Sequence, residues 1–309
     1  MRLLIADGLS AAAIAQLQQI GGLEVLEFKD ISRTDLKALL PTIDILVVRS
    51  RTQVDRDLLE GGKNLRLAIR AGIGLDNVDV SAATELGIVV MNAPTGNIVT
   101  TAEHAIALLF AVSRHVAQAD ASMRQGKWDK KSFQGSEICG KTLGILGLGN
   151  IGKAIAERGN GLKMQVIGYD PYLSEEAAAK HGVRLVSKDE LLAQSDYLTV
   201  HVPLMESTRG LIGKEAFSKM KKTAYLINCA RGPVVDPEAL YAALLAGKTL
   251  LQIRLAFIQG FQITLGHAAS FVGDALPARF DGFDGRPHGS RGFRRWIGIQ
   301  QNASRRPRQ

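Results

Sequence analysis

The sequence has little cysteine and no long apolar run. Only two cysteines occur among 309 residues, Cys139 and Cys229, and their spacing is typical of neither a metal site nor a redox pair. No stretch of 18 or more apolar residues is present, which argues against a membrane-spanning helix. The opening residues, MRLLIADG, do not resemble a secretion signal. We therefore expect a cytoplasmic protein with no metal site and no membrane association.

Lysine and glutamate are absent from the last part of the chain. Residues 249–309 contain nine Arg and three Asp but no Lys and no Glu, whereas residues 1–248 contain 29 basic and 27 acidic residues. The net charge of +8 is therefore concentrated in a tail rich in Arg and Gly. The body of the protein is nearly neutral, so its charge gives no reason to expect nucleic acid as a partner.

Short apolar runs alternate with amphipathic segments along most of the chain, a pattern typical of βαβ units with parallel sheets. The predicted strands are residues 3–6, 23–28, 45–48, 65–69 and 88–91, and then 143–146, 165–169, 197–200 and 224–228. A single long helix is predicted over residues 99–125, with His104 on its apolar face as a hydrogen-bonded core residue. The last predicted helix opens at Asp236-Pro237, where Asp can cap and Pro suits the first turn.

A glycine-rich turn follows the first strand of the second series and opens a helix. It reads Gly147-Leu148-Gly149-Asn150-Ile151-Gly152. In this strand–turn–helix context Gly147 permits the tight turn, Gly149 lets the backbone approach a pyrophosphate, and Gly152 allows close helix–strand packing. The free N–H groups of the helix N-terminus favour phosphate. The alternative is a glycine turn that merely closes an α/β unit.

An acidic residue at the end of the next strand indicates the type of dinucleotide. Asp170 follows Gly152 by 18 residues, where the ribose 2′-OH of NAD is expected. Its carboxylate would repel the 2′-phosphate of NADP, and the following Pro171 and Tyr172 supply no compensating Arg. We therefore predict NAD as the cofactor.

A second motif, Asn228-Cys229-Ala230-Arg231-Gly232-Pro233, follows a predicted strand and leaves Arg231 at the carboxyl edge of the sheet. Arg at that edge can hold a carboxylate through two parallel hydrogen bonds and polarise an adjacent oxygen. A solvated loop Arg is the alternative. Cys229 is interpreted as a small buried residue, and His201 as a strand-end residue that could touch the cofactor.

Six separated motifs together resemble the D-isomer-specific 2-hydroxyacid dehydrogenase family, in particular its D-3-phosphoglycerate dehydrogenases. The resemblance covers residues 1 to about 250. Besides the glycine turn, the motifs are VRSRT (48–52), RAGIGLDNVD (70–79), NIVTTAEHAIALL (97–109), HVPL (201–204) and NCARGPVVD (228–236). The fold class that follows is α/β, with two Rossmann-like or flavodoxin-like parallel-sheet domains followed by a tail that we expect to be disordered.

The resemblance also implies domains, site residues and a reaction. Residues 1–97 would begin a substrate-binding domain, 98–255 would form the NAD-binding Rossmann domain, and 256–309 would be an aberrant tail. The implied reaction is oxidation of a D-2-hydroxy acid, in particular 3-phosphoglycerate to 3-phosphohydroxypyruvate, which leads into serine synthesis. The implied catalytic residue is Arg231. The implied substrate-binding residues are Arg49, Ser50, Gly72, Ile73, Gly74 and Asn97. The implied cofactor-binding residues are Gly147, Gly149, Asn150, Ile151, Gly152, Asp170, Val202, Cys229, Ala230 and Arg231.

The catalytic base of the family has no counterpart at its expected place. The reaction needs a His, supported by a Glu, to take the hydroxyl proton. The last Glu of the chain is Glu238, and His267 stands closer to Arg231 than the family His and lacks the preceding Pro. A reading-frame change near codon 250 would explain both this loss and the Arg/Gly-rich composition. A basic tail that binds an acidic partner or nucleic acid is the alternative.

Two functions therefore stay open at the level of sequence. The chain is either an active 2-hydroxyacid dehydrogenase or a dinucleotide-binding remnant or regulator without turnover. The substrate is also open, because sister enzymes that act on glycerate, lactate or glyoxylate share most of these motifs. The resemblance further implies a homodimer, with the long helix and residues 128–133 at the interface.

Overall fold

A computed structural model describes residues 1–245 of the chain. The first half of this region forms a five-stranded sheet in the order β2-β1-β3-β4-β5, and every neighbouring pair is parallel. Its strands are β1 (Arg2–Ile5), β2 (Glu24–Glu27), β3 (Ile45–Val48), β4 (Leu67–Arg70) and β5 (Val89–Asn92). This is the flavodoxin-like strand order.

The second half forms another parallel sheet, in the order β10-β9-β6-β7-β8. Its strands are β6 (Thr142–Leu146), β7 (Gln165–Tyr169), β8 (Arg184–Leu185), β9 (Tyr197–Val200) and β10 (Tyr225–Asn228). Counted from β6, this is the Rossmann order 3-2-1-4-5, whose direction reverses between β6 and β9. Ligands of such sheets bind at that reversal, outside the carboxyl ends of the strands. The predicted α/β fold with two parallel sheets is confirmed.

Helices connect the strands of both sheets. They are α1 (Ala11–Gln18), α2 (Arg33–Leu39), α3 (Arg56–Gly61), α4 (Val80–Glu85), α5 (Ile98–Ser113), α6 (Val116–Arg124), α7 (Asn150–Gly161), α8 (Glu175–Ala179), α9 (Lys188–Gln194), α10 (Lys214–Lys219) and α11 (Pro237–Leu245). Asp236 Oδ1 accepts a hydrogen bond of 2.7 Å from the backbone N–H of Ala239, as its predicted capping role requires.

The prediction of one long helix over residues 99–125 is wrong. The chain forms α5 and α6, separated at Arg114 and His115, and His115 has a left-handed backbone with φ of 53°. The segment around Gly135 crosses at this break, since a Cβ on Gly135 would overlap the backbone oxygen of Ser113. His104 is exposed on α5, so its predicted burial in the core is also wrong.

The second sheet and α5 share one hydrophobic core. Ala102, Ala105 and Leu109 of α5 are buried together with Leu143 and Ile145 of β6. Each sheet has its own buried clusters, because parallel strands need apolar cover on both faces. Within residues 1–245, no helix combines the length and the hydropathy needed to cross a membrane. The expectations for the tail, including His267 and disorder after residue 255, lie outside the described residues.

Candidate active site

The glycine turn lies at the reversal of strand order in the second sheet. Gly147 has φ of +93°, and a Cβ there would stand 2.9 Å from the carbonyl of His201, which follows β9. A Cβ on Gly152 would overlap the Gly147 oxygen. Gly149 differs, because no heavy atom lies within 4 Å of its Cβ position. Backbone is therefore exposed beside Gly149, which is what a closely approaching pyrophosphate requires.

The first turn of α7 adds hydrogen-bond donors to this space. Gly149 is the N-cap residue and offers no side chain to the N–H groups of Asn150, Ile151 and Gly152. Such groups attract phosphate, since they are unpaired and carry the positive end of the helix dipole. Gly149 and Asn150 are both exposed. The geometry fits a dinucleotide pyrophosphate.

Asp170 is held at the end of β7 beside this turn. Its Oδ2 accepts a hydrogen bond of 2.8 Å from the backbone N–H of Leu148, and its Oδ1 accepts one of 2.9 Å from Tyr172. Each oxygen keeps further acceptor capacity for a ribose hydroxyl. The residue is partly buried, so both the position and the charge fit the ribose diol of NAD.

The groups beneath the turn are apolar or uncharged. Cys229 is buried in the core, and burial raises the pKa of its thiol to about 12, so it remains protonated at neutral pH. Burial lowers the pKa of His201 to about 3, and its Nε2 lies 2.7 Å from the hydroxyl of Thr199. Val202 and Ala230 are partly buried and pack against the other hydrophobic cluster of this sheet. Cys229 is thus a core residue as predicted, and His201 is a poor base at neutral pH.

The loop of Arg49–Thr52, at the carboxyl end of β3, is fixed from both sides. Asp7 Oδ2 accepts hydrogen bonds from the backbone N–H groups of Arg49 and Thr52, at 2.7 and 3.2 Å, and Oδ1 accepts one from the Thr52 hydroxyl. Asn77 Nδ2 donates to the backbone oxygens of Arg49 and Thr52, at 2.7 and 2.6 Å. The Arg49 and Ser50 residues at the tip stay exposed.

The turn of Gly72–Gly74 follows β4, the neighbour of β3 in the sheet. Asn92, at the end of β5, donates a hydrogen bond of 2.7 Å to the backbone oxygen of Ile73. The backbone N–H groups of Ile73 and Gly74 donate to no other described residue. These donors lie at the same sheet edge as Arg49 and Ser50, so the turn is suited to an anionic oxygen.

Arg231 leaves the end of β10 and contacts the first sheet's loops. Its Nε and Nη2 donate to Oδ1 of Asp76, at 3.0 and 2.7 Å, and its Nη1 donates to the backbone oxygen of Ala230 at 3.1 Å. A Cβ on Gly74 would overlap Nη2 of Arg231, so the guanidinium packs against the glycine turn. Arg231 is therefore partly buried and ion-paired, and it lies beside the glycine turn of the predicted substrate site.

A further arginine, which the sequence analysis did not single out, lies under the same turn. Arg70 ends β4, is only 9% exposed, and has a buried Nε with no hydrogen-bond partner among the described residues. Burial lowers its pKa, and the charges of Arg231 and Arg49 act in the same direction. A Cβ on Gly72 would overlap its guanidinium. Its sequence position, at the carboxyl end of a strand and close before the glycine turn, could have indicated Arg70 as a site residue.

One predicted substrate residue has no side-chain hydrogen bond to this group within residues 1–245. Asn97 is exposed before α5, and its side chain does not cap the helix. The structure otherwise brings the predicted residues to two sheet edges: Arg49, Ser50, Gly72, Ile73 and Gly74 at one, and Gly147, Gly149, Asn150, Ile151, Gly152, Asp170, Val202, Cys229, Ala230 and Arg231 at the other. Arg231 connects the two. Among residues 1–245 there is no cluster of three or more His, Cys, Asp or Glu that could hold a metal ion.

These features define a dinucleotide-binding α/β protein in which an arginine joins the nucleotide-binding sheet to the glycine turn of the other sheet. A family model described as "D-isomer specific 2-hydroxyacid dehydrogenase, NAD binding domain" matches residues 106–252. The chain belongs to the D-isomer-specific 2-hydroxyacid dehydrogenase family and carries its NAD-binding domain.

The chain is similar to curated relatives and to solved structures. It is 49% identical over 248 residues to the D-3-phosphoglycerate dehydrogenase of Archaeoglobus fulgidus, covering 80% of this chain and 47% of the relative. It is 43% identical over 263 residues to that of Methanocaldococcus jannaschii, covering 85% and 49%. A structure of the pyruvate reductase of Chlamydomonas reinhardtii superposes with a TM-score of 0.71 at 32% identity, covering 80% of this chain and 74% of that one. The chain thus spans about half the length of the curated relatives it matches.

Proposed function

We propose that this chain is built for the NAD-dependent oxidation of 3-phosphoglycerate to 3-phosphohydroxypyruvate, the activity named for its curated relatives. Bound NAD would accept the hydride from C2 of the substrate. Arg231 would orient the carboxylate and polarise the C2 oxygen. The N–H groups of Ile73 and Gly74 would hold a carboxylate oxygen, and Arg49 and Ser50 would receive the phosphate.

The observation that carries this proposal is the group of three arginines at the substrate loops. The charges of Arg49 and Arg231 both act on Arg70, and Asp76 and Asp7 are the acids near it. Both acids already bond to donors of the site. Because the arginines outnumber the acids, the cluster keeps a net positive charge and favours a substrate with more than one negative charge, such as a phosphorylated acid.

A second function, dinucleotide binding without turnover, is favoured by one specific observation. Oxidation requires a base for the hydroxyl proton. His201 has a pKa of about 3, and the chain contains no Glu after Glu238. The family match ends at residue 252, close to where we place the change of reading frame. In this alternative the cofactor and anion sites are present, and the residues that complete the reaction are not.

The test is to purify the full chain and to measure two quantities on it. NADH binding is followed by fluorescence, and NADH production is followed with NAD and 3-phosphoglycerate, with D-glycerate as the matched substrate that lacks the phosphate. Turnover with preference for 3-phosphoglycerate supports the enzyme. NADH binding without turnover supports the second function, and an absence of NADH binding contradicts both.

The assembly and location are proposed as well. We propose a homodimer formed through α5, α6 and the segment that follows, because Val99, Phe110, Val116 and Met123 are exposed there and Trp128 is 81% exposed. Trp128→Ser should shift the full chain from dimer to monomer in light scattering, and a wild-type monomer would contradict the proposal.

We also propose domain limits of 1–97, 98–255 and 256–309. A cytoplasmic location is proposed too, because it suits the use of a soluble metabolite and cofactor.

A further inference from the structure

Asp76 is the acceptor that fixes the side chain of Arg231. It follows the glycine turn after β4, whereas Arg231 follows β10 of the other sheet. Their contact is short, at 2.7 Å from Nη2 to Oδ1, and both side chains are about one-third exposed. Burial favours the neutral acid, but the hydrogen bond and charge of Arg231 hold the pKa of Asp76 below its ordinary value. The pair is therefore ionised at neutral pH.

The pattern of donors shows which edge of the guanidinium is engaged. Oδ1 of Asp76 accepts hydrogen bonds from both Nε–H and Nη2–H of Arg231. These two groups form the side-on edge of the guanidinium. Nη1 donates to the backbone oxygen of its neighbour Ala230. A guanidinium has five N–H bonds, so one on each Nη remains without an acceptor among the described residues. These two form the end-on fork, which can bind a carboxylate through parallel hydrogen bonds.

We propose that Asp76 is a positioning residue for Arg231: it occupies the side-on edge and so presents the end-on fork to the substrate carboxylate. The proposal rests on the proposed function, because it assigns the orientation of the arginine that would bind the substrate. Asp76 and the carboxylate use different edges, so the substrate binds without displacing Asp76. Gly74 contributes by lacking a side chain, since a Cβ there would overlap Nη2 and crowd Oδ1 of Asp76.

The test compares Asp76→Asn with Asp79→Asn in the full chain. Asp79 lies on the same loop and caps α4 by accepting a hydrogen bond of 2.9 Å from Ala82, a role that Asn fills equally well. Both variants lose one charge, but only the first loses the ion pair with Arg231, because the amide oxygen of Asn accepts more weakly than a carboxylate oxygen. Oxalate serves as the binding probe, because it presents a carboxylate and cannot transfer a hydride. Oxalate is titrated into the NADH-loaded protein to measure its affinity. The Nε–H signal of Arg231 is followed separately by NMR, and it is assigned as the signal that is missing from Arg231→Lys.

We expect Asp76→Asn to weaken oxalate binding about tenfold, which corresponds to about 1.4 kcal/mol, and to broaden the Nε–H signal at neutral pH, because a neutral amide oxygen holds the Nε–H group less firmly. Its NADH affinity and melting temperature should match those of Asp79→Asn, which should bind oxalate as the wild type does. Unchanged or tighter oxalate binding by Asp76→Asn would overturn the proposal. If the wild-type protein binds NADH but no oxalate, the proposed substrate site fails, and the Nε–H signal in Asp76→Asn still decides whether Asp76 orients the arginine.

Discussion

Gly147, Gly149 and Gly152 perform three different tasks within one turn. Gly147 adopts a positive φ that side-chain-bearing residues rarely adopt, and Gly152 allows the first turn of α7 to pack on the Gly147 carbonyl. Gly149 is free of both constraints, because its Cβ position lies in open space. Steric contacts within the fold therefore do not require glycine at this position, whereas the proposed pyrophosphate contact would. This distinction separates variants that damage binding from variants that damage folding.

Gly149→Ala should leave the fold intact and weaken NADH binding at least tenfold, or about 1.4 kcal/mol, because the new methyl group stands where the pyrophosphate approaches. Fluorescence titration and thermal unfolding measure the two effects. Gly161→Ala is the matched control, since that glycine also lies on α7 with nothing within 4 Å of its Cβ position. Equal NADH affinity of Gly149→Ala and wild type would contradict the assignment of the pyrophosphate site.

His201 should make the folded state sensitive to mild acid. Its folded pKa of about 3 lies below the ordinary value of 6.5, so the unfolded chain binds the proton more readily between those values. Stability should therefore fall as the pH decreases from about 6.5 towards 4, with a limiting slope of about 1.4 kcal/mol per pH unit. Urea unfolding of wild type and His201→Gln at several pH values measures this slope. A slope that the substitution does not reduce would show that His201 is protonated in the folded protein.

At the level of elements, the proposed substrate loop, Arg49–Thr52, is held by two polar side chains that bond to its backbone groups. Asp7 accepts from the N–H groups, and Asn77 donates to the oxygens. Asp7 comes from the end of β1 and Asn77 from the loop after β4, the two strands on either side of β3. The neighbouring residue, Asp76, holds Arg231. Two adjacent residues thus connect the substrate loop with the nucleotide-binding half.

Asp7→Asn should destabilise the protein by about 1–3 kcal/mol, since an amide nitrogen replaces one of the two acceptor oxygens of this buried side chain. Burial favours a neutral Asp7, but hydrogen bonds from Thr52 and the backbone lower its pKa below 3.8. This stabilisation is complete above pH 3.8 and is lost as the pH falls through the lower folded pKa, so the two proteins should converge in strong acid. Urea unfolding provides the comparison. Asp30→Asn is the control, because Asp30 is exposed and pairs with Arg51, as Asp7 does. If Asp30→Asn lost as much stability as Asp7→Asn, the argument that Asp7 holds the loop would be refuted.

At the scale of the whole molecule, cofactor binding and proton removal depend on different parts of the chain. The NAD-binding sheet, its glycine turn and Arg231 all lie before residue 246. A base that follows the family pattern would lie after it, where this sequence has no Glu. The chain should therefore bind NADH independently of residues 249–309, whereas turnover requires a segment with the family's Glu and His.

Replacing residues 249–309 by the segment that follows the matched region in the Archaeoglobus fulgidus relative should restore NADH production. We expect at least about 10²-fold more activity than in the present chain, because a general base contributes on that order. His267→Ala in the present chain is the control and should change nothing. Turnover of the unaltered chain that disappears in His267→Ala would instead identify His267 as the base.

The sequence by itself determined nine of the ten strands described in residues 1–245, the Asp236 cap and the glycine turn, but not the two-residue strand β8. These depend on hydrophobic periodicity and on hydrogen bonds between residues a few positions apart, so residues 45–48, 165–169 and 197–200 are strands as predicted. The break between α5 and α6 was not predicted, because Gly135 imposes it from outside the helix. Asp76, Asp7 and Arg70 also escaped prediction as site residues. Asp76 and Arg231 are 155 positions apart, and only the order of strands in two sheets decides that such distant polar groups meet.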